Sequence, residues 1–157
     1  MRRKLLRTGL LLLPLSLLPT AGARANGPPT VTASGHATFF TSFGGEPRLF
    51  KFHAKEVDGD ATGKATLVRP ESGVKLQVEI DCIIIVDSAT LLLGGTITES
   101  TSGNEGYEVV FAVRDGGKHG ADRLSPLFEA TCETDDWALD SLRVIDAGQI
   151  KVHVKDE

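Results

Sequence analysis

Sulfur and large aromatic side chains are scarce here: 157 residues contain two cysteines, one methionine, one tryptophan and one tyrosine. Two cysteines, Cys82 and Cys132, cannot supply a structural zinc site, which wants four ligands at short paired spacings. The four histidines, His36, His53, His119 and His153, show no ligand spacing that would complete one. The chain also lacks a P-loop, a dinucleotide fingerprint and a zincin motif, and Ser125 has no G-x-S-x-G elbow around it. No cofactor and no resident metal are expected. Helical periodicity is nearly absent as well, which directs attention to strands.

The amino end has a separate character. MRRKLLRTGLLLLPLSLLPTAGARA combines a basic start (Arg2, Arg3, Lys4, Arg7), an apolar run from Leu10 to Leu18 and small residues at Ala21, Ala23 and Ala25. That is the three-part pattern of a secretory signal, too short for a membrane span of about 20 residues. Cleavage is expected after Ala25, with Ala23 as the second choice; Arg2-Arg3 also has a faint twin-arginine character. No cysteine follows the run, so a lipid anchor is not expected. The sequence thus predicts a signal peptide over 1–25, a single domain over 26–157 and a secreted or periplasmic location.

Removing that segment takes five basic residues and no acid. Lys plus Arg falls from 17 to 12 against 21 acids, so the net charge moves from −4 to −9 over the 132 residues that remain. Such an excess repels nucleic acid and anionic lipid, so neither nucleic-acid binding nor stable membrane insertion is expected. In an oxidising compartment, Cys82 and Cys132 are expected to form one disulfide.

The densest apolar stretch, DCIIIVDSATLLLGGTITES (81–100), continues an alternation that begins at Val74: Val74, Leu76, Val78, Ile80, Cys82, Ile84 and Val86 fall on one face, with Lys75, Gln77, Glu79 and Asp81 between. Period 2 marks a half-buried strand. The stretch therefore reads as the closed end of a long hairpin, Val74 to Glu99, turning at Asp87-Ser88. In that register Ile84 points inward, whereas Ile83, Ile85 and Leu92 form an outer apolar patch that needs cover. Gly94-Gly95 marks a bulge or barrel corner, or alternatively a place where a ligand lies against bare backbone.

The rest of the chain repeats this style. SGHATFFTSF, RLFKFHAKEV, GKATLVR, YEVVFAVRD, ADRLSPLFEATC and GQIKVHV are strand candidates, Pro126 interrupting one of them, while Asp135 to Ile145 could form a helical turn capped by Asp135 or Asp136 and carrying Trp137, as core or lid. With the hairpin they make about eight strands. The expected fold is an all-β, single-domain antiparallel β-barrel of calycin or avidin size, its last strand pairing the first; a two-sheet β-sandwich is the alternative. The order Cys, Cys, Trp excludes an immunoglobulin pattern.

Phe50-Lys51-Phe52-His53-Ala54, Val78-Glu79-Ile80-Asp81-Cys82 running to Gly94-Gly95, Val113-Arg114-Asp115-Gly116-Gly117 and Gly148-Gln149-Ile150-Lys151-Val152 together carry a resemblance across nearly the whole chain after residue 25. They resemble the motifs of a group of small, uncharacterised, secreted bacterial all-β proteins, a likeness that implies fold, export and a bacterial source but no activity. Asp87-Ser88 departs from the glycine and asparagine expected at that turn.

Two classes of function fit. One is a non-catalytic binding barrel, whose interior at this strand number holds side chains or one small apolar ligand; Phe50, Phe52, Leu91, Leu93, Tyr107 and Phe111 are its candidate binding residues. Those side chains could equally fill the interior. The other is a small barrel enzyme, such as a cyclase or isomerase, in which Tyr107, His36 or His53 transfers a proton on an apolar substrate; Glu46, Glu79 and Glu129 are further acids with none favoured. A third use, a structural or extracellular interaction module, would employ loops or the outer patch on a protein partner. Asp58-Gly59-Asp60 reads as a turn rather than a calcium loop. Asp115 with Asp122 reads either as solvated turn carboxylates or as ligands of a hard cation. Nothing in the sequence points to an oligomeric state.

Overall fold

The computed structural model describes residues 30–40, 45–132 and 137–155. The expected leader and the capping residues Asp135 and Asp136 lie outside them. The chain forms β1 (Val31–Phe39), β2 (Arg48–Val57), β3 (Asp60–Arg69), β4 (Val74–Asp87), β5 (Thr90–Ser100) and β6 (Glu108–Arg114). Short pieces follow: β7 (Arg123–Leu124), β8 (Phe128–Glu129), a one-turn helix α1 (Trp137–Asp140) and β9 (Arg143–Val144), before the last strand, β10 (Ala147–Val154). Among the described residues no helix is long and apolar enough to cross a membrane. The stretch 81–100 is strand on either side of a turn at Ser88-Ala89, the hairpin that its alternation predicts.

All pairings are antiparallel and belong to one sheet, in the order β10-β1-β2-β3-β4-β5-β6-β7-β9, curled into a half-barrel. The expected return of the last strand to the first is present, with Val31 opposite Val154 and Thr38 opposite Ala147. The seventh expected strand is broken at Pro126 into β7 and β8, both paired to β6. Pro126 has no N–H for the ladder, and Ser125 fills the gap: its hydroxyl accepts from the N–H of Ala112 at 2.8 Å and donates to the Pro126 carbonyl at 2.8 Å. Asp58 and Gly59, with φ of 51° and 83°, make the two-residue primed turn that suits a β2–β3 hairpin.

Alternation brings Phe50, Phe52, Leu67, Val78, Leu91, Leu93 and Phe111 into one buried cluster inside the curl. The Phe111 ring meets Phe50 edge-on at 4.9 Å between centroids and Phe52 at 5.8 Å. Each buried ring contributes on the order of 2 kcal/mol of transfer free energy, and edge contacts add to it.

The long hairpin keeps the predicted register only from Val78 to Ile80, between a shift at Gln77/Val78 and a second one at Ile80/Cys82. Val78 opposes Ile97 and Ile80 opposes Gly95, but Cys82 then opposes Gly94, so Asp81 is an extra residue and the strand bulges there. One inserted residue exchanges the two faces. Ile83 now packs against the inner cluster, whereas Ile84 joins Cys82 on the outside and is 39% exposed. The turn moves to Ser88-Ala89, between Asp87 and Thr90. The bulge corrects the expected inward Ile84 and outward Ile83, and Ile85 stands at an exposed tip; Leu92 lies on the outer face as expected, and is covered there.

Leu92, Val110 and Ala112, on the outer face of β5 and β6, form a second apolar cluster with Ala138. Phe128, Ala130, Cys132, Leu139 and Leu142 pack against it, so residues 128–132 and 137–142 cover this face. The disulfide Cys82–Cys132, with Cα atoms 6.5 Å apart, ties the cover to the bulged strand. A Cβ on Gly94 would lie 2.5 Å from Cys132 Sγ, so the first glycine of Gly94-Gly95 makes room for the bridge. Closing a loop with a sequence separation of 50 residues contributes about 4 kcal/mol in the chain-entropy model.

Between β6 and β10 the curl is stitched by side chains. Asp122 accepts from Gly116 N at 2.8 Å and from Ile150 N at 2.7 Å, and Asp115 accepts from Gly117 N at 2.7 Å and from Val152 N at 3.1 Å. Each carboxylate thus holds its own loop with one oxygen and the edge of β10 with the other. These two residues are neither solvated turn acids nor a pair turned toward a cation; they satisfy edge N–H groups that a ladder would otherwise take.

Candidate functional site

Polar side chains enter the inward rows at one end of the curl. On β2 the inward set Ala54, Phe52, Phe50 continues to Arg48, and on β3 the set Ala65, Leu67 continues to Arg69. Leu49 opposes Val68; continuing that register by one residue sets Arg48 opposite Arg69. Like charges directly opposite in a sheet are destabilising. One of the two is compensated. Glu46 lies 2.8 Å from Arg69 Nε, with the glutamate side chain 7% exposed and the arginine 38%. Glu46 also accepts from the Ser72 amide at 2.8 Å and from the Ser72 hydroxyl. The hydroxyl, helped by the backbone amides of Ser72 and Glu71 and by the Arg69 charge, holds the Glu46 carboxyl below its ordinary range against the opposing effect of burial.

Arg48 has no such partner. Among the described residues no ion pair or side-chain hydrogen bond holds its guanidinium. Burial first, then the Arg69 and Arg143 charges, lower its pKa from the ordinary arginine value, while Glu46 opposes them.

Beneath these arginines opens a cleft of about 340 Å³, within the size range of small-molecule sites. Leu67, Val74, Leu76, Ile97, Val109 and Leu127 make its apolar wall; Arg48, Arg69, Ser102, Asn104, Tyr107 and Glu129 make the polar one. Tyr107 is placed by its backbone, its carbonyl accepting from Ile97 N at 2.9 Å and its N–H donating to Asn104 O at 3.3 Å. Leu127 turns into the inner cluster at the break that Pro126 makes between β7 and β8.

Of the six candidate binding residues, only Tyr107 lines this cleft. Phe50, Phe52, Leu91, Leu93 and Phe111 are packed together in the inner cluster, 3% exposed or less. His36 and His53 fall on the outward rows of β1 and β2, so the three proton-transfer candidates do not share one site. Glu79 is exposed on β4 and Glu129 stands on the mouth rim. Trp137 is exposed at the start of α1. A wider cleft of about 1030 Å³ follows the seam past His36, Lys118, Lys151 and His153; its carboxylates, Asp115 and Asp122, already accept from the backbone.

Arg48 and Arg69 were overlooked by counting apolar residues alone. Their parity with Phe50 and Leu67 was the available signal, since an arginine in an inward row at a strand end marks a polar mouth. No family model, no curated protein and no solved structure matches this chain.

Proposed function

We propose that this is an exported, non-catalytic binding protein whose ligand site is the mouth of the curled sheet rather than its centre. One contrast carries the reading: aromatic rings occupy the centre, whereas the mouth keeps a cleft of about 340 Å³ with an apolar wall and a few convergent polar groups. Export is supported by the pattern of the first 25 residues and by the disulfide, whose chemistry suits an oxidising compartment. Native mass spectrometry of the oxidised protein recovered gently from its host tests this. A reproducible small-molecule adduct lost on denaturation supports it, whereas a bare mass in material whose mouth amides also fail to shift with any added ligand overturns it.

A second reading rests on a different observation. Ile84, Ile85 and Val86, 39%, 47% and 47% exposed, make an aliphatic hairpin tip, which suits an interaction module docking on another extracellular protein. Crosslinking from position 85 to one defined partner would favour this use over the mouth.

A further inference from the structure

We infer that the mouth recognises an organic anion, a carboxylate carried on a short acyl or aryl body, with Arg48 as its counter-ion. This inference rests on the mouth being the ligand site. Its support is that folding gains nothing from the arrangement. Arg48 occupies an inward-row position on β2, where an apolar residue would extend the core, and it sits one register step beyond Leu49–Val68, opposite Arg69. Glu46 is committed to Arg69 and Ser72. One guanidinium is therefore left half-buried and without an ion pair among the described residues, lining the same cleft as Leu67, Leu76 and Leu127.

A guanidinium presents a rigid fork that matches a carboxylate in two parallel hydrogen bonds, and partial desolvation strengthens such a pair relative to water. The apolar wall beneath it selects for a body that a bare inorganic anion lacks. Both halves of the ligand are thus specified: charge at the rim and hydrocarbon below. Glu129 also lines the cleft and Glu46 neutralises Arg69, so the attraction for an anion is local to the Arg48 fork rather than a net positive charge of the mouth.

The test uses the disulfide-bonded protein, isothermal titration calorimetry and three probes: octanoate, 1-octanol and acetate. Octanoate is expected to bind, with amide shifts at Val109 and Leu127, and to bind more tightly than either probe that carries only half of its chemistry. Arg48→Gln is expected to weaken octanoate roughly tenfold or more while leaving 1-octanol unchanged; Arg48→Lys, a point charge without the fork, is expected to fall between. Since Arg48→Gln relieves a like-charge pair, its melting temperature should equal or exceed that of the parent, so lost binding is not lost folding. Equal affinity for octanoate and 1-octanol, or an unchanged octanoate affinity in Arg48→Gln, overturns the anion inference and leaves the mouth a ligand site. Absence of binding by all three probes, with the Val109 and Leu127 amides unmoved, overturns both.

Discussion

Phe52 and Arg48 sit four residues apart in the same inward row of β2, yet only one of them serves the fold. Phe52 is packed against Phe50 and Phe111 at ring distances of 6.1 and 5.8 Å, whereas Arg48 lines an open cleft within reach of a second arginine's charge. The centre is chosen for stability and the mouth against it. Residues whose placement conflicts with local stability are where function is expected, and the contrast separates them without any homologue. It also predicts that truncation at the centre will be severe and truncation at the mouth mild.

The largest effect is expected from Phe111→Ala. The ring is fully buried and contacts Phe50 and Phe52, so its loss removes transfer free energy and leaves a cavity in the inner cluster. A loss of about 4 kcal/mol is expected, read as a lower urea midpoint at constant slope. A loss under about 1 kcal/mol would mean that the centre is loosely filled, and the distinction between centre and mouth would fail.

Next comes the seam. Asp122→Ala leaves the N–H groups of Gly116 and Ile150 without their acceptor. An orphaned, partly buried donor costs on the order of 1–3 kcal/mol, and hydrogen exchange should localise the damage, with the Ile150 amide losing protection while Phe111 keeps it. Equal loss at both would show that the seam and the centre unfold as one unit.

At the mouth the expected effect is smaller and depends on pH. Glu46 has a folded-state pKa below its ordinary 4.5. Its contribution is therefore complete above that ordinary value and is lost as pH falls through the lower, folded one. Asp87, lowered first by the Ala89 amide it accepts at the β4–β5 turn, behaves in the same direction. Glu46→Gln should melt a little below the parent at pH 7, and the gap should close as pH falls through the lowered folded-state value. A gap that stays constant through the acid range would assign the role of Glu46 to shape rather than charge.

Much of this was legible in the sequence because alternation survives wherever one face is polar. Lys51, His53 and Lys55 fix the register of β2, and Gln77 and Glu79 fix the lower half of β4. The signal stops at Ile83-Ile84-Ile85-Val86, where both parities are apolar and a one-residue bulge at Asp81 leaves no trace in the pattern. The seam was hidden for a different reason. Asp115 and Asp122 in a glycine-rich loop have the same composition whether they face water, a cation or a strand edge 28 or more residues away. At the mouth, the signal was present in the parity of Arg48 and Arg69, but it becomes meaningful only when the register places the two side by side.

Adjacent residues of β4 give the finest test of that register. Ile83 packs against the inner cluster, while Ile84, next to it, opposes Leu92 on the outer side and is 39% exposed. An aspartate at 83 has to carry its charge toward the centre or rotate the strand, and either costs more than about 2 kcal/mol. An aspartate at 84 reaches water directly, and Ile84→Asp should change stability by about 0.5 kcal/mol or less, in line with surface substitutions. An unbroken hairpin without the Asp81 bulge would reverse the two results, because every residue beyond Ile80 would then present its opposite face. Paired thermal melts of Ile83→Asp and Ile84→Asp therefore read the bulge directly. If Ile84→Asp is the one that unfolds, Cys82 also points inward, and the disulfide could not reach the outer cover that it now holds.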